Sequence, residues 1–280
     1  MCGRYYSLFD KQQVTEHFHV RHTADNVGII APNYNVAPGD PEPVIRRSHE
    51  TGERELVMMR WGIVPWFAKS EDEFKALSTI NAKSDRLTDS KMWREPFAKR
   101  RCLVPANGLY EWTKQNKIKE QFLVSKPSKT PPASGDLFGA APEGSGDLFG
   151  TPAAPARRAK TSSKSDKRVF NITLADQGAT PFAFAGIWDA WKRPDGTYLE
   201  SFALVTTEPN ELVAQIHDRL ALILHPRDYD RWLGIAGSAD PRLPLNLLHP
   251  YDADQMVMLP ANPAVGNWRN NGPEMLRPPG

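Results

Sequence analysis

The chain has 280 residues, of which 40% are hydrophobic and 24% charged, so its composition excludes a disordered protein and allows a substantial core. Its 35 basic and 33 acidic residues leave a formal net charge of +2, which excludes a histone-like polycation but allows a local basic groove. The two cysteines, Cys2 and Cys102, have no metal-ligand spacing and no disulfide framework, which favours a reducing compartment.

The N-terminal segment does not have the pattern of a signal peptide. Asp10, Lys11 and Glu16 interrupt it before an apolar run can form. No stretch of the sequence reaches the roughly 18 apolar residues that a membrane span requires. We therefore expect a cytoplasmic protein without a membrane segment.

The first part of the chain is predicted to alternate short strands with short helices. Asp10 is a typical N-cap residue and begins a predicted helix that continues to about Val20. A second helical turn is predicted from Trp93 to Lys99. Apolar and β-branched runs predict strands at residues 2–9, 56–64, 101–105 and 120–124.

The composition changes abruptly between Ser125 and Arg168. This segment is rich in Pro, Ala, Gly, Ser and Lys and has no hydrophobic periodicity. It cannot bury enough apolar surface to offset its ordering entropy, so we predict a disordered insertion over residues 125–168. The sequence SGDLFG occurs in it twice, at 134–139 and 145–150, and its end is basic.

Regular structure is predicted to resume at Val169. Strands are expected at 169–174, 182–191 and 198–207, and the PDG turn at 194–196 joins the last two as a hairpin. Asn210 is predicted to cap a helix that continues to Ile216, and residues 226–233 predict another short helix. Many short strands with few helices indicate an α+β fold in which antiparallel sheet dominates.

Cys2 is the first candidate for a reactive group, because Met1 is normally removed when a small residue follows it. Removal leaves an α-amine and a thiol on adjacent carbons of Cys2. The amine titrates near pH ~8 and the thiol near pH ~8.5, so both have reactive fractions at neutral pH. An aldehyde can form an imine with this amine and then close to a thiazolidine with the thiol. Position alone is equally consistent with a cysteine of no function.

Several sequence blocks that follow one another in order resemble the SRAP family of abasic-site processing proteins. The resemblance extends from residue 2 to about residue 271, with the 125–168 insertion outside it. The blocks are MCGRY (1–5), NYNVAP (33–38), RWGIVPWF (60–67), INAKSD (80–85), CLVPANGLYEW (102–112), IHDR (216–219) and AVGNWRNNG (264–272).

The resemblance implies one SRAP-type domain over residues 2–280, with curved, mainly antiparallel sheets and short flanking helices. It implies that the chain binds abasic sites in single-stranded DNA. The ring-opened sugar is an aldehyde, and Cys2 is expected to crosslink to it as a thiazolidine that shields the lesion during replication. No metal or cofactor is implied, and we expect a nucleoid-associated monomer.

Three further residues are assigned to the reaction by the resemblance. Asn81 corresponds to an asparagine that forms hydrogen bonds near the crosslink, and Glu111 to the general acid and base. His217 corresponds to a histidine that helps to open the sugar or to reverse the link. Independently, the aromatic neighbours Tyr110 and Trp112 are expected to desolvate Glu111 and raise its pKa.

Cationic and aromatic residues in the same blocks are candidates for contacts with DNA. Cations would bind phosphates and tryptophans would stack on bases, although a tryptophan in an apolar strand often belongs to the core. Two positions depart from the family pattern, because lysine replaces the usual arginine at 83 and aspartate the usual glutamate at 85. The DNA-binding candidates are Arg4, Asn35, Pro38, Trp66, Lys83, Trp112 and Arg219.

Other functions stay open from the residues alone. Amidohydrolases with an N-terminal nucleophile also begin Met-Cys-Gly and use the freed amine as a base. A non-enzymatic module that binds single-stranded DNA is a further alternative. By resemblance, the chain removes Met1 autocatalytically, which is a peptidase and hydrolase activity; removal by a housekeeping aminopeptidase is the alternative. An imine also allows strand cleavage by β-elimination, a lyase activity.

The repeated SGDLFG segment suggests a partner. SGDLF resembles the short peptides with which bacterial proteins dock on the replication sliding clamp, although the leading glutamine of those peptides is missing. The predicted contacts are Leu137 and Phe138 in one copy and Leu148 and Phe149 in the other. A linker duplicated by slippage is the alternative.

Overall fold

The computed structural model describes residues 2–71, 73, 79–113, 168–235 and 243–279. Within these ranges, fourteen strands form two sheets, accompanied by three short α-helices. The helices are α1 (Lys11–His17), α2 (Arg94–Lys99) and α3 (Tyr229–Leu233). The strands are β1 (Tyr5–Ser7), β2 (His22–Thr23), β3 (Asn33–Val36), β4 (Pro41–Arg47), β5 (Arg54–Trp61), β6 (Asn81–Lys83), β7 (Arg101–Ala106), β8 (Gly108–Trp112), β9 (Val169–Leu174), β10 (Phe182–Lys192), β11 (Tyr198–Thr207), β12 (Leu220–Ala221), β13 (Ile223–Leu224) and β14 (Met256–Pro260).

The larger sheet closes on itself. Strands β11, β10, β7, β4 and β5 are hydrogen-bonded in that order, each antiparallel to its neighbour, and β5 then pairs in parallel with β11. Closure leaves no free edge in this ring of five strands. Ile45, Leu103 and Ala185 are paired across three of its strands and are fully buried, so the ring is built around an apolar core.

The smaller sheet is antiparallel and has the strand order β14-β9-β8-β1-β3. Its central strands β1 and β8 approach closely, because the ring of Tyr6 lies where a Cβ atom at Gly108 would be. The Tyr110 amide donates to the carbonyl of Arg4 at 3.0 Å, which extends this pairing toward the N-terminus. Cys2 is therefore held beside the end of β8.

The predicted α+β fold with dominant antiparallel sheet is confirmed. Asp10 caps α1 in a full capping box with Gln13, as expected from its position. The hairpin of β10 and β11 is also present. Strand β1 is shorter than the predicted 2–9, and β5 ends at Trp61 because Gly62 turns the chain with a φ of +115°. Pairings of β2 and β6 with their neighbours are parallel.

The predicted helix from Asn210 to Ile216 is wrong. Asn210 does cap the segment, because its Oδ1 accepts from the Val213 amide at 3.0 Å, but only one 3-10 turn follows, Val213–Gln215. Ile216 leaves the helical conformation with a φ of −121°, and burial of Ile216 and His217 against the sheets outweighs local helix propensity.

Two expectations lie outside the described residues: the strand at 120–124, and residues 125–167 of the predicted 125–168 insertion, which contain the repeated SGDLFG segment. In the part of the chain that the structure describes, no helix has both the length and the apolar character needed to cross a bilayer.

Candidate active site

Four separate segments place Cys2, Asn81, Glu111 and His217 in one buried cluster. Cys2 precedes β1, Asn81 begins β6, Glu111 lies in β8, and His217 follows the 3-10 turn after β11. Their exposed fractions are 0%, 5%, 3% and 7%. Polar side chains are rarely buried without a structural or chemical use, so this concentration makes the cluster the candidate active site.

Asn81 fixes the backbone at Cys2. Its Nδ2 donates to the carbonyl oxygen of Cys2 at 2.7 Å. Its own backbone is held by parallel pairing with Leu204 in β11. The Oδ1 of Asn81 is buried and has no hydrogen-bond partner among the described residues. An unused acceptor of this kind is costly unless a ligand satisfies it, so Asn81 can accept from a hydroxyl or an N–H brought into the site.

Glu111 and His217 face one another. The distance from His217 Nε2 to Glu111 Oε2 is 3.9 Å. The Arg219 amide donates to His217 Nδ1 at 3.0 Å, so the neutral ring carries its proton on Nε2, toward Glu111. When the ring is protonated, Asp218 Oδ1 lies 3.2 Å from Nδ1 and can accept from it. Both protonation states of His217 thus have partners, which suits a residue that transfers protons.

Burial raises the pKa of Glu111 to about 7, and the carboxylate of Asp218 acts in the same direction. The sequence-based expectation that this pKa is raised is confirmed. A carboxyl group with a pKa near neutrality is present in both protonation states at pH 7. Glu111 is therefore able to donate and to accept a proton under physiological conditions.

The thiol of Cys2 is fully buried, and its Sγ lies 3.7 Å from the carbonyl oxygen of Arg4. Burial raises the pKa of this thiol well above its usual range, and the charge of Glu111 raises it further. The expectation of a reactive thiolate fraction at neutral pH is therefore wrong. Because the sulfur keeps its proton, the amine is the better nucleophile for the first step.

A cleft of about 550 Å³ has in its lining Gly3, the residue that follows Cys2 in the chain. Three of the predicted DNA-binding residues line it together: Arg4, Pro38 and Trp112. Trp268 also lines it and was not singled out from the sequence, although it lies within the AVGNWRNNG block. The signal available was a tryptophan beside an arginine in a polar segment, a combination that occurs in nucleic-acid-binding surfaces.

Asn35 is buried and does not line the cleft. It is 2% exposed, and its Nδ2 donates to three carbonyl oxygens of the C-terminal segment. These belong to Val265, Asn267 and Asn270, at 3.1, 3.0 and 2.8 Å. The structure thus gives Asn35 a supporting position behind the segment that carries Trp268.

The remaining predicted DNA-binding residues lie on other segments. Trp66 is 56% exposed and packs its ring edge-on against Phe67. Lys83 is exposed at the end of β6. The guanidinium of Arg219 donates to Asp85 Oδ1 at 2.9 Å, so an acidic side chain already occupies part of its binding capacity.

Comparisons with known proteins identify a family for the chain. The model of the SOS response associated peptidase (SRAP) family matches residues 1–268. The chain is 28% identical over 276 residues to the abasic site processing protein YoqW of Bacillus subtilis (strain 168), covering 99% of both chains. It is 29% identical over 259 residues to the abasic site processing protein HMCES of Mus musculus, covering 88% of this chain and 65% of that protein.

The fold is also found in solved structures. A crystal structure of a protein from Bacteroides thetaiotaomicron superposes with a TM-score of 0.70 at 20% identity, covering 99% of this chain and all of that one. A second, from Bordetella bronchiseptica, has a TM-score of 0.61 at 20% identity and covers 93% of this chain. At this level of identity the likeness establishes a shared fold.

Proposed function

The chain belongs to the SOS response associated peptidase (SRAP) family, and on that premise we propose that it captures abasic sites in single-stranded DNA through a covalent thiazolidine at Cys2. The observation that carries this proposal is the convergence of Cys2, Asn81, Glu111 and His217 in one buried cluster beside a cleft. The crosslink would shield the lesion during replication, as part of DNA repair in the SOS response.

The reaction requires a free α-amine on Cys2. Water adds across the peptide bond between Met1 and Cys2, and the chain performs this step on itself, which is its peptidase activity. Glu111 is the group placed to move the protons of this hydrolysis. Intact-mass measurement of Glu111→Gln tests the assignment, because retained Met1 is expected in that variant and its absence would point to another peptidase.

Imine formation is the first step with DNA. His217 transfers a proton as the deoxyribose opens to its aldehyde. The amine of Cys2 then adds to the aldehyde carbon, and protonated Glu111 delivers a proton to the hydroxyl that leaves as water. Because the pKa of Glu111 is about 7, the carboxyl group can act as the acid in this step and the carboxylate can then take up a proton again as a base.

Ring closure follows within the same residue. The sulfur of Cys2 adds to the imine carbon, and its proton passes to the imine nitrogen, so the thiazolidine forms without an oxidant or a reductant. The high pKa of the buried thiol favours this order, in which the amine acts first and the sulfur second. Asn81 Oδ1 accepts a hydrogen bond from the new N–H or from a sugar hydroxyl.

DNA is held by charge and stacking around this cluster. Arg4, Lys83 and Arg219 contact phosphates, whereas Trp66 and Trp112 stack on bases. Closure of the thiazolidine consumes the imine from which β-elimination would cleave the strand. Lyase activity is therefore a side reaction, and Cys2→Ser is expected to increase it.

A denaturing gel tests the proposal. The wild-type protein is expected to give a covalent band with abasic single-stranded DNA, and Cys2→Ala to give none. Cys102→Ala, which removes the other buried thiol, is the matched control and should keep the band. Cys2→Ala still has an amine, so borohydride should trap its imine. No band with wild-type protein would refute the proposal.

The SGDLFG repeats stay a separate prediction, since they lie outside the described residues. A pull-down with purified sliding clamp tests it, using the alanine variants of Leu137, Phe138, Leu148 and Phe149. Equal capture of wild-type and variant chains would refute the predicted docking on the sliding clamp.

A further inference from the structure

Trp268 is a large apolar side chain exposed at the cleft beside Cys2. It is 55% exposed and lines the cleft together with Trp112 and Pro38. Gly3, which follows Cys2 in the chain, is part of the lining, so the cleft lies close to the reactive residue. Exposed aromatic surface that adjoins a reactive group is typical of a binding site.

The segment that carries Trp268 is fixed in place. Asn35 holds it from the sheet side through the three carbonyl groups described above, and the Tyr34 amide donates to Asn271 Oδ1 at 2.7 Å. Within the segment, Asn270 Nδ2 donates to the Ala264 carbonyl at 2.8 Å. An anchored platform loses little conformational entropy when a ligand binds, so Trp268 is organised in advance.

The charges around the cleft suit a neutral aromatic ring with an anion at its edge. Arg4 is half-buried in the lining, where burial lowers the pKa of its guanidinium and the carboxylate of Asp40 opposes that shift. These two charges offset one another. Arg269 lies over the ring of Trp268, with its Cζ 4.7 Å from the ring centroid, and its charge is available to a phosphate.

We propose that this cleft binds the base of a nucleotide adjacent to the abasic sugar, with Trp268 as a stacking wall and Asn35 as its positioning residue. The inference rests on the proposed function. Indole surfaces accept any base through its π-face, so the site orients the lesion without selecting a sequence. Holding the neighbouring nucleotide places the aldehyde at Cys2.

Crosslinking rates at DNA concentrations below saturation test the role of Trp268. Trp268→Ala is expected to lower the rate roughly tenfold, within the range of losses known for base-stacking aromatics. Trp268→Phe keeps a stacking ring and should retain most of the rate. Tyr198→Ala is the matched control, since Tyr198 is 61% exposed at the β10–β11 hairpin and lies outside the site.

Two modified DNAs identify the ligand. A tetrahydrofuran residue, which lacks a base, replaces the nucleotide on either the 5′ or the 3′ side of the abasic site. The penalty of Trp268→Ala should disappear with one of these DNAs and persist with the other. A penalty that is unchanged with both, or a Trp268→Ala rate equal to that of Tyr198→Ala, overturns the inference.

Asn35→Ala tests the positioning role. It should lower the rate by a similar factor, and the loss should not add to that of Trp268→Ala in the double variant. Additive losses would show that Asn35 acts independently of Trp268.

If wild-type protein forms no crosslink, the proposed function fails. The cleft is then tested by fluorescence anisotropy of dye-labelled intact single-stranded DNA, where equal affinity for wild type and Trp268→Phe but weaker binding by Trp268→Ala supports stacking and equal affinity for all three refutes it.

Discussion

Replacing Glu111 by glutamine should stabilise the fold at alkaline pH while it abolishes the chemistry. Glu111 is 3% exposed, and burial raises its pKa from 4.5 to about 7. The folded state thus binds this proton more tightly than the unfolded state. Proton binding by Glu111 therefore adds to the free energy of unfolding. This contribution is complete below pH 4.5 and is lost as the pH rises through 7.

The size of the stabilisation by Glu111→Gln follows from the shift in the pKa of Glu111. At about 1.36 kcal/mol per pKa unit, the ionised carboxylate costs roughly 3 kcal/mol at pH 8. Glutamine has nearly the same shape and no charge, so Glu111→Gln should raise the free energy of unfolding by up to that amount at pH 8 and by little at pH 5. In Glu111→Gln from which an added aminopeptidase has removed Met1, loss of the general acid should lower the crosslinking rate by roughly 10²- to 10⁴-fold.

Urea unfolding monitored by tryptophan fluorescence between pH 5 and pH 8.5 measures the first effect, and a crosslinking gel the second. Glu42→Gln is the matched control. Glu42 is 5% exposed, and burial, together with Asp40, raises its pKa to about 8. This variant should be stabilised at pH 9 and should still crosslink. Equal stability of wild type and Glu111→Gln at pH 8, or unchanged crosslinking by that variant, refutes the reasoning.

Three other variants probe the site and its surroundings. Asn81→Ala removes the donor to the Cys2 carbonyl and a buried acceptor, and should slow crosslinking roughly tenfold, as expected for a buried hydrogen bond worth about 1–3 kcal/mol; a rate equal to wild type contradicts the assignment. His217→Gln should slow the reaction with abasic DNA but not with a small open-chain aldehyde, whose carbonyl needs no ring opening; equal slowing of both would assign His217 to a later step. Asp85→Asn frees the Arg219 guanidinium, so DNA affinity should rise at low salt and the logarithmic salt slope should steepen by roughly 0.7; an unchanged slope means that Arg219 makes no phosphate contact.

Local signals in the sequence predicted local structure well. Asp10 with Gln13 forms a capping box, and the PDG turn joins β10 to β11. The parallel pairing of β5 with β11, which closes the ring, joins segments about 140 residues apart and has no local signature. The same limit explains why the helix predicted after Asn210 shrinks to one turn, since tertiary burial decides its end.

The sequence predicted which residues form the candidate site, but not how deeply the fold buries them. Its position after Met1 identified Cys2, the resemblance to the SRAP family identified Glu111, and aromatic neighbours indicated the raised pKa of the glutamate. The complete burial of the thiol depends on elements distant in sequence, so its raised pKa was missed. Trp268 was overlooked for a similar reason, because only the fold brings the C-terminal segment beside Arg4.

Counting the free thiols of the crosslinked protein distinguishes a thiazolidine at Cys2 from a link through the amine alone. The chain has two cysteines, and a thiazolidine consumes the thiol of Cys2 while an imine or an amine-only link leaves it free. The crosslink is denatured, alkylated with iodoacetamide and analysed by mass spectrometry. With a thiazolidine, Cys102 alone is expected to be alkylated, in a species that has lost Met1. Alkylation of both Cys2 and Cys102 in the crosslinked species would contradict a thiazolidine.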